Sequence, residues 1–235
     1  MFKSLKAYER YRRLISIISP SRCPFCGEVI SAAELWCYDC YRYLPFAYGI
    51  PEAPENISRL YVCCYYRHRA RDAVLRLKYG GYMYPADAFA RMMSKELAGA
   101  EPADMLVPVP SGFFSVKKRG FAPAAVIAER LSLYLETPAV NAVKAFPDKA
   151  EQKKLSAAER RRNAEKSFYL SNKADIRGKR IILVDDVTTT GSTLAAVARL
   201  LLDGGAADVR AAVFAKAKRI NGVTASRRRY KMRKG

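Results

Sequence analysis

Asp185 and Asp186 stand side by side directly after the apolar run Ile181-Ile182-Leu183-Val184, and a stretch of hydroxyls around one glycine follows them. That stretch is Thr188, Thr189, Thr190, Gly191, Ser192 and Thr193, with Val187 as the spacer. A short β-rich apolar run predicts a buried parallel strand. Open α/β sheets bind their ligands at the carboxyl ends of such strands. Residues 194–202 predict a helix, whose first backbone N–H groups and dipole suit a phosphate. Threonine and serine hydroxyls add donors without adding like charge. Two carboxylates suit vicinal sugar hydroxyls or a hard cation such as Mg²⁺. One segment therefore offers binding for a sugar and for its phosphate. A plain strand–turn–helix would gain nothing in packing from the same residues.

A second constellation is Cys23-Pro-Phe-Cys26 and, ten residues on, Cys37-Tyr-Asp-Cys40. Two Cys-x-x-Cys turns at this separation can set four thiolates tetrahedrally around one Zn²⁺, with iron as the alternative ion. Gly27 follows the first turn, where a positive φ is expected. With no ligand position left for water, the site reads as structural. The segment has few apolar residues of its own, so metal ligation supplies much of its folding free energy. Metal loss is expected to leave the main domain folded, since the larger core lies elsewhere. Paired disulfides in a secreted chain are the rival account. Against them, the apolar run 14–18 is too short for a signal segment.

Lys and Arg number 42 against 22 Asp and Glu, a formal charge of +20 over 235 residues. That excess points to a polyanionic partner, nucleic acid first and an anionic membrane surface second, with general solubility as the bland account. The last residues concentrate it: Lys216, Lys218, Arg219, Arg227, Arg228, Arg229, Lys231, Arg233 and Lys234, with no acidic residue among them. Such a tail binds phosphates largely through counterion release. No apolar run approaches transmembrane length, so a soluble protein without a membrane span is expected, in the cytoplasm.

Positioning these groups requires alternating strands and helices. Leu5, Tyr8, Tyr11, Ile15 and Ile18 recur near the helical period, which predicts an amphipathic helix over 2–18. Strands are expected at 60–66, 105–109, 139–143, 180–184 and 208–215. Helices are expected at 69–79, 85–98, 123–134, 157–164 and 194–202, with a linker at 45–54 and a charged loop at 146–154. The pattern gives an α/β fold with a mostly parallel sheet flanked by helices. Lys78 sits before Gly80-Gly81 and either faces the site or complements the helix dipole. Lys117, Lys118 and Arg119 follow a strand end and could neutralise a leaving group, or form a solvated basic loop. His68, the sole histidine, reads as a surface or structural residue, adjacent Cys63 and Cys64 as small buried hydrophobes, and Trp36 as packing for the four-Cys segment.

The strand, Asp-Asp pair and Thr-Gly loop resemble the phosphoribosyl pyrophosphate (PRPP) motif of the type I phosphoribosyltransferases. The resemblance implies Asp185 and Asp186 on the ribose hydroxyls and the loop from Val187 through Thr193 around the 5′-phosphate, with Lys78 beside them and Mg²⁺ bound with PRPP. Lys118 and Arg119 join the carboxylates as candidate catalytic groups. A four-Cys segment ahead of such a domain resembles the ComF family. So do Arg76-Leu-Lys-Tyr-Gly80, Leu106-Val-Pro-Val-Pro110, Lys118-Arg-Gly-Phe121, Gln152-Lys-Lys-Leu-Ser156, Glu159-Arg-Arg-Arg-Asn163 and Phe168. Residues 152–163 would be either a lid that excludes water or a plain helix–loop with surface arginines. The chain departs from the family at Ala122-Pro123, where Asn and Gln are expected, and in its longer basic end. The implied organisation is an amphipathic helix at 1–20, a four-Cys zinc module at 21–44, a phosphoribosyltransferase-like domain at 55–217 and a basic tail at 218–235. The implied function is PRPP binding joined to single-stranded DNA handling in natural transformation, with other competence-machinery proteins as partners and Lys218, Arg219, Arg227–229, Lys231, Arg233 and Lys234 on the DNA. The other expected functions are transfer to an amine or base, and PRPP sensing without catalysis.

Overall fold

The computed structural model describes residues 2, 4–146, 167–171 and 174–217. The expected helix at 157–164, the lid at 152–163 and the basic tail at 218–235 lie outside these residues.

Nine-residue stretches of β-branched and small apolar residues form the centre of the sheet. β1 (Leu60–Tyr65), β2 (Met105–Pro108), β5 (Arg180–Thr188) and β6 (Asp208–Lys216) pair in the order β1-β6-β5-β2, and every pairing is parallel. Side chains of a strand alternate between faces, and the core divides accordingly. Ile182, Val184, Ala212 and Phe214 face one buried cluster, while Ile181, Leu183, Ala211 and Val213 face the other. The first cluster is covered by α3 (His68–Tyr79), α4 (Pro85–Glu96) and α6 (Pro123–Leu135), through Val74, Leu77, Phe89, Ile127 and Leu131. The second is covered by α7 (Ser192–Asp203), through Leu194, Val197 and Leu201.

The remaining elements are short. α1 (Leu5–Ile15) is narrower than the helix expected over 2–18, and α2 (Tyr38–Arg42) carries Cys40. α5 (Phe113–Arg119) follows β2 with no counterpart in the expected elements. The strand expected at 139–143 divides: Ala139 makes a single parallel bridge to Leu106. Val143–Ala145 (β3) instead pairs antiparallel with Phe168–Leu170 (β4). The periodicity at 139–143 does not separate these two pairings, because one is a single residue pair and the other only three.

The four-Cys segment packs into the first cluster rather than beside it. Cys23, Phe25, Cys40 and Leu44 are buried there together with Phe89 and Phe214. Phe214 stacks on Phe89 at 3.6 Å between ring centroids and on Phe25 at 6.5 Å. The expectation that the core lies elsewhere is corrected by this shared packing. Helix α1 is tied to the same side: buried Asp87 of α4 accepts from Tyr8 Oη at 2.6 Å and pairs with Arg130 of α6 at 3.2 Å and Arg12 at 3.6 Å. Trp36 stacks on Tyr41 at 5.1 Å within this segment, His68 is exposed, and Cys63 and Cys64 are buried.

Candidate functional site

β5 runs further than its apolar residues suggest. Asp185, Val187 and Thr188 remain in register with Val213, Ala215 and Lys216 of β6, so both carboxylates sit in the last turns of the strand and not in the loop. Alternation then assigns them different faces. Asp186 follows Ile182 and Val184 toward α3, where Lys78 Nζ lies 2.8 Å from its Oδ1. Asp185 follows the other face and holds the backbone N–H of Asp186 at 2.8 Å through its own Oδ1.

A cleft of about 180 Å³ opens at the carboxyl ends of β2 and β5. Its walls carry Lys78, Arg119, Asp185, Asp186, Val187 and Thr193, together with the turn Val109-Pro110-Ser111-Gly112 after β2. Lys118, one residue from Arg119, is exposed and outside this wall, because adjacent residues of α5 point about 100° apart. Ser111 and Gly112 were absent from the expected site. The only sequence signal for them is their place directly after a strand end.

The electrostatics follow from burial. Desolvation, and next the charge of Asp186, push the Asp185 carboxyl well above the usual range. Burial works against the charge on Lys78, but the attraction of Asp186 and Asp185 outweighs it and raises its pKa. Asp186 Oδ2 is buried with no hydrogen-bond partner among the described residues. An orphaned buried carboxylate oxygen is costly unless a ligand hydroxyl or a cation satisfies it.

The hydroxyl loop leads into α7. Gly191 caps this helix with φ +79°, and a Cβ there would overlap the ring of Pro54, 2.9 Å from its Cβ. Only glycine meets both demands. Thr190 Oγ1 accepts from Ser192 N at 3.3 Å and donates to Ser192 Oγ at 3.1 Å. Thr189, Thr190, Ser192 and Thr193 are exposed, whereas Thr188 is buried within β5. The first-turn N–H groups of α7 have no intrahelical acceptor by construction, and they open beside the cleft.

The four cysteines form the other centre. Their Sγ atoms all lie within 4.8 Å of one another, and Sγ of Cys26 and Cys37 are 3.8 Å apart. Sulfurs about 2.3 Å from a central Zn²⁺ stand roughly 3.8 Å apart in a tetrahedron, so the donor set fits that ion. Gly27 has φ +90°, as the turn requires. Burial opposes the charge on Cys23, but N–H donors from Cys37, Cys26 and Phe25 lower its pKa; burial raises those of Cys26 and Cys40. Arg69 of α3 donates to Cys40 Sγ at 2.5 Å. No cysteine is in a disulfide.

Residues 90–232 match the model of the phosphoribosyl transferase domain. Competence protein F of Haemophilus influenzae is 27% identical over 202 residues, covering 83% of this chain and 85% of that protein. DNA utilization protein YhgH of Escherichia coli is 30% identical over 198 residues, covering 80% and 81%. The purine phosphoribosyltransferase structure from Pyrococcus horikoshii aligns over 55% of this chain and 71% of its own, at 19% identity and a TM-score of 0.36. The chain belongs to the ComF family of proteins, built on a phosphoribosyltransferase domain with a four-Cys cluster near its N-terminus. Among the described residues no helix is long and apolar enough to cross a membrane.

Proposed function

We propose that this protein binds PRPP in the cleft between β2 and β5 and handles single-stranded DNA in the cytoplasm. The observation that carries the PRPP reading is the convergence of Lys78, Arg119, Asp185, Asp186 and Thr193 on one cleft beside the start of α7. Asp185 and Asp186 take the ribose hydroxyls, and the loop Val187–Thr193 with the first turn of α7 takes the 5′-phosphate. Asp185 and Asp186 are also the carboxylates that would hold Mg²⁺ arriving with PRPP, and that ion would supply charge neutralisation on the pyrophosphate. The orphaned Oδ2 of Asp186 is consistent with either ligand.

Arg119, on the cleft wall, would stabilise charge developing on a departing pyrophosphate; Lys118, exposed on the same helix, would add to the local positive field. If an amine or base attacks the anomeric carbon, the bond to the pyrophosphate oxygen breaks and pyrophosphate leaves. Without an acceptor the same cleft serves as a PRPP sensor. The four cysteines hold a structural Zn²⁺, which a reducing compartment favours over disulfides.

The DNA reading is supported by the net charge of +20, by the basic residues from Lys218 to Lys234, and by the names of relatives linked to competence and DNA utilization. Calorimetry with PRPP and Mg²⁺, with and without single-stranded DNA, tests both halves. PRPP binding that is unchanged in the Asp185→Asn/Asp186→Asn double variant overturns the cleft assignment. DNA affinity and salt slope that are unchanged in a chain ending at Lys218 overturn the tail assignment.

A further inference from the structure

Helix α3 touches both centres. Near its start, Arg69 donates to Cys40 Sγ. Near its end, Arg76 Nη1 donates to the carbonyls of Pro24 and Phe25 at 2.8 and 2.7 Å. Those two residues lie between Cys23 and Cys26, so their carbonyl directions are set by the turn that brings the two thiolates together. Gly27 packs beside the same guanidinium: a Cβ there would stand 3.7 Å from Arg76 Nη2. Two residues further on, Lys78 makes its ion pair with Asp186. Residues two apart on a helix point about 200° apart, so Arg76 and Lys78 reach to opposite sides. Leu77 between them is fully buried. The last turn of α3 is thus pinned between the first Cys-x-x-Cys turn and the carboxylate of the cleft.

We propose that the four-Cys centre and the phosphoribosyl cleft are energetically coupled through the last turn of α3, with Arg76 as the positioning residue that carries metal occupancy to Lys78. This rests on the reading that PRPP occupies the cleft. A metal ligated by Cys23 and Cys26 would hold that turn closed and, with it, the two carbonyls. The planar guanidinium is held by both, with geometric specificity that a single contact lacks. Opening of that turn removes both acceptors and frees the helix end that places Lys78. Coupling of this kind is reciprocal: whatever metal does for PRPP affinity, PRPP does for metal affinity.

The test uses zinc-loaded full-length protein and follows zinc transfer to a chromophoric chelator, with and without saturating PRPP and Mg²⁺. Calorimetry on the same samples reports PRPP occupancy. In the unaltered protein PRPP is expected to reduce zinc transfer about tenfold, within the usual range for coupled sites. In Arg76→Met zinc leaves faster and PRPP gives no protection. In Lys78→Met, at PRPP concentrations that still saturate, protection is likewise lost. A purely structural Arg76 would speed zinc loss by the same factor in both conditions and leave the protection ratio intact, which overturns the proposal. A ratio of one in the unaltered protein with PRPP bound overturns it without any variant, and so does failure to retain zinc. Absence of PRPP heat overturns the reading of the cleft and this coupling with it, whereas heat without protection removes only the coupling.

Discussion

Lys78 and Asp186 form a 2.8 Å ion pair at the cleft, although one lies in the last turn of a helix early in the chain and the other near the end of a strand late in it. The Lys78 side chain is 26% exposed and that of Asp186 only 4%. Removing one partner of a buried pair costs about 3–5 kcal/mol. Partial exposure of Lys78 lowers this, so Lys78→Met should cost roughly 2–3 kcal/mol in urea unfolding. Adding Asp186→Asn should recover part of the loss, because the uncompensated charge is gone. A double variant less stable than Lys78→Met would show that the pair is not the source.

Asp185 has a folded pKa above its unfolded one. Its charge therefore costs stability at pH above the folded value, and that cost is relieved as pH falls from the folded value to the unfolded one. Asp185→Asn should raise the unfolding midpoint at neutral pH and lose this advantage on acidification. The same variant should weaken PRPP binding. In the unaltered protein PRPP affinity should begin to fall, on acidification, at a pH higher than an ordinary aspartate would set. Calorimetry across a pH series reads this directly.

Gly191→Ala meets a left-handed backbone and the ring of Pro54 together. Such a position costs about 1–3 kcal/mol for a non-glycine residue. The melting temperature should drop, and, on the proposed placement of the 5′-phosphate at this loop, PRPP affinity should fall further than stability explains. Replacing Pro54 with Gly in the same chain should return part of the stability, because both overlapping ring carbons are then gone. No recovery would place the whole cost in the backbone.

The freshly purified protein should carry one zinc per chain by elemental analysis, lost in Cys40→Ser. Because Phe25 and Cys23 share a buried cluster with Phe89 and Phe214, metal removal should lower the stability of the whole domain. A thermal scan with a chelator should show one transition moved to lower temperature. Two transitions, with the larger one unmoved, would show that the segment folds separately.

The parts legible in the sequence are those whose chemistry is local. Asp185, Asp186 and the hydroxyls around Gly191 are contiguous, so one strand–loop–helix carries them wherever it is placed. The two Cys-x-x-Cys turns fix their own sulfur spacing in the same way, and the apolar run 181–184 already marks a buried parallel strand. What lies between distant segments was decided by the tertiary structure. The order β1-β6-β5-β2 puts the turn after β2 next to the end of β5, which brings Ser111, Gly112 and Arg119 to the cleft and leaves Lys118 outside. The packing of α3 on that sheet turns a lysine with two plausible roles into the partner of Asp186. Likewise, the burial of Phe25 against Phe214 makes the four-Cys segment part of the main core. Residue type and spacing state which contacts a side chain can make. Which partner it meets depends on strand order and helix packing, and these are set by the apolar surface of the whole chain at once.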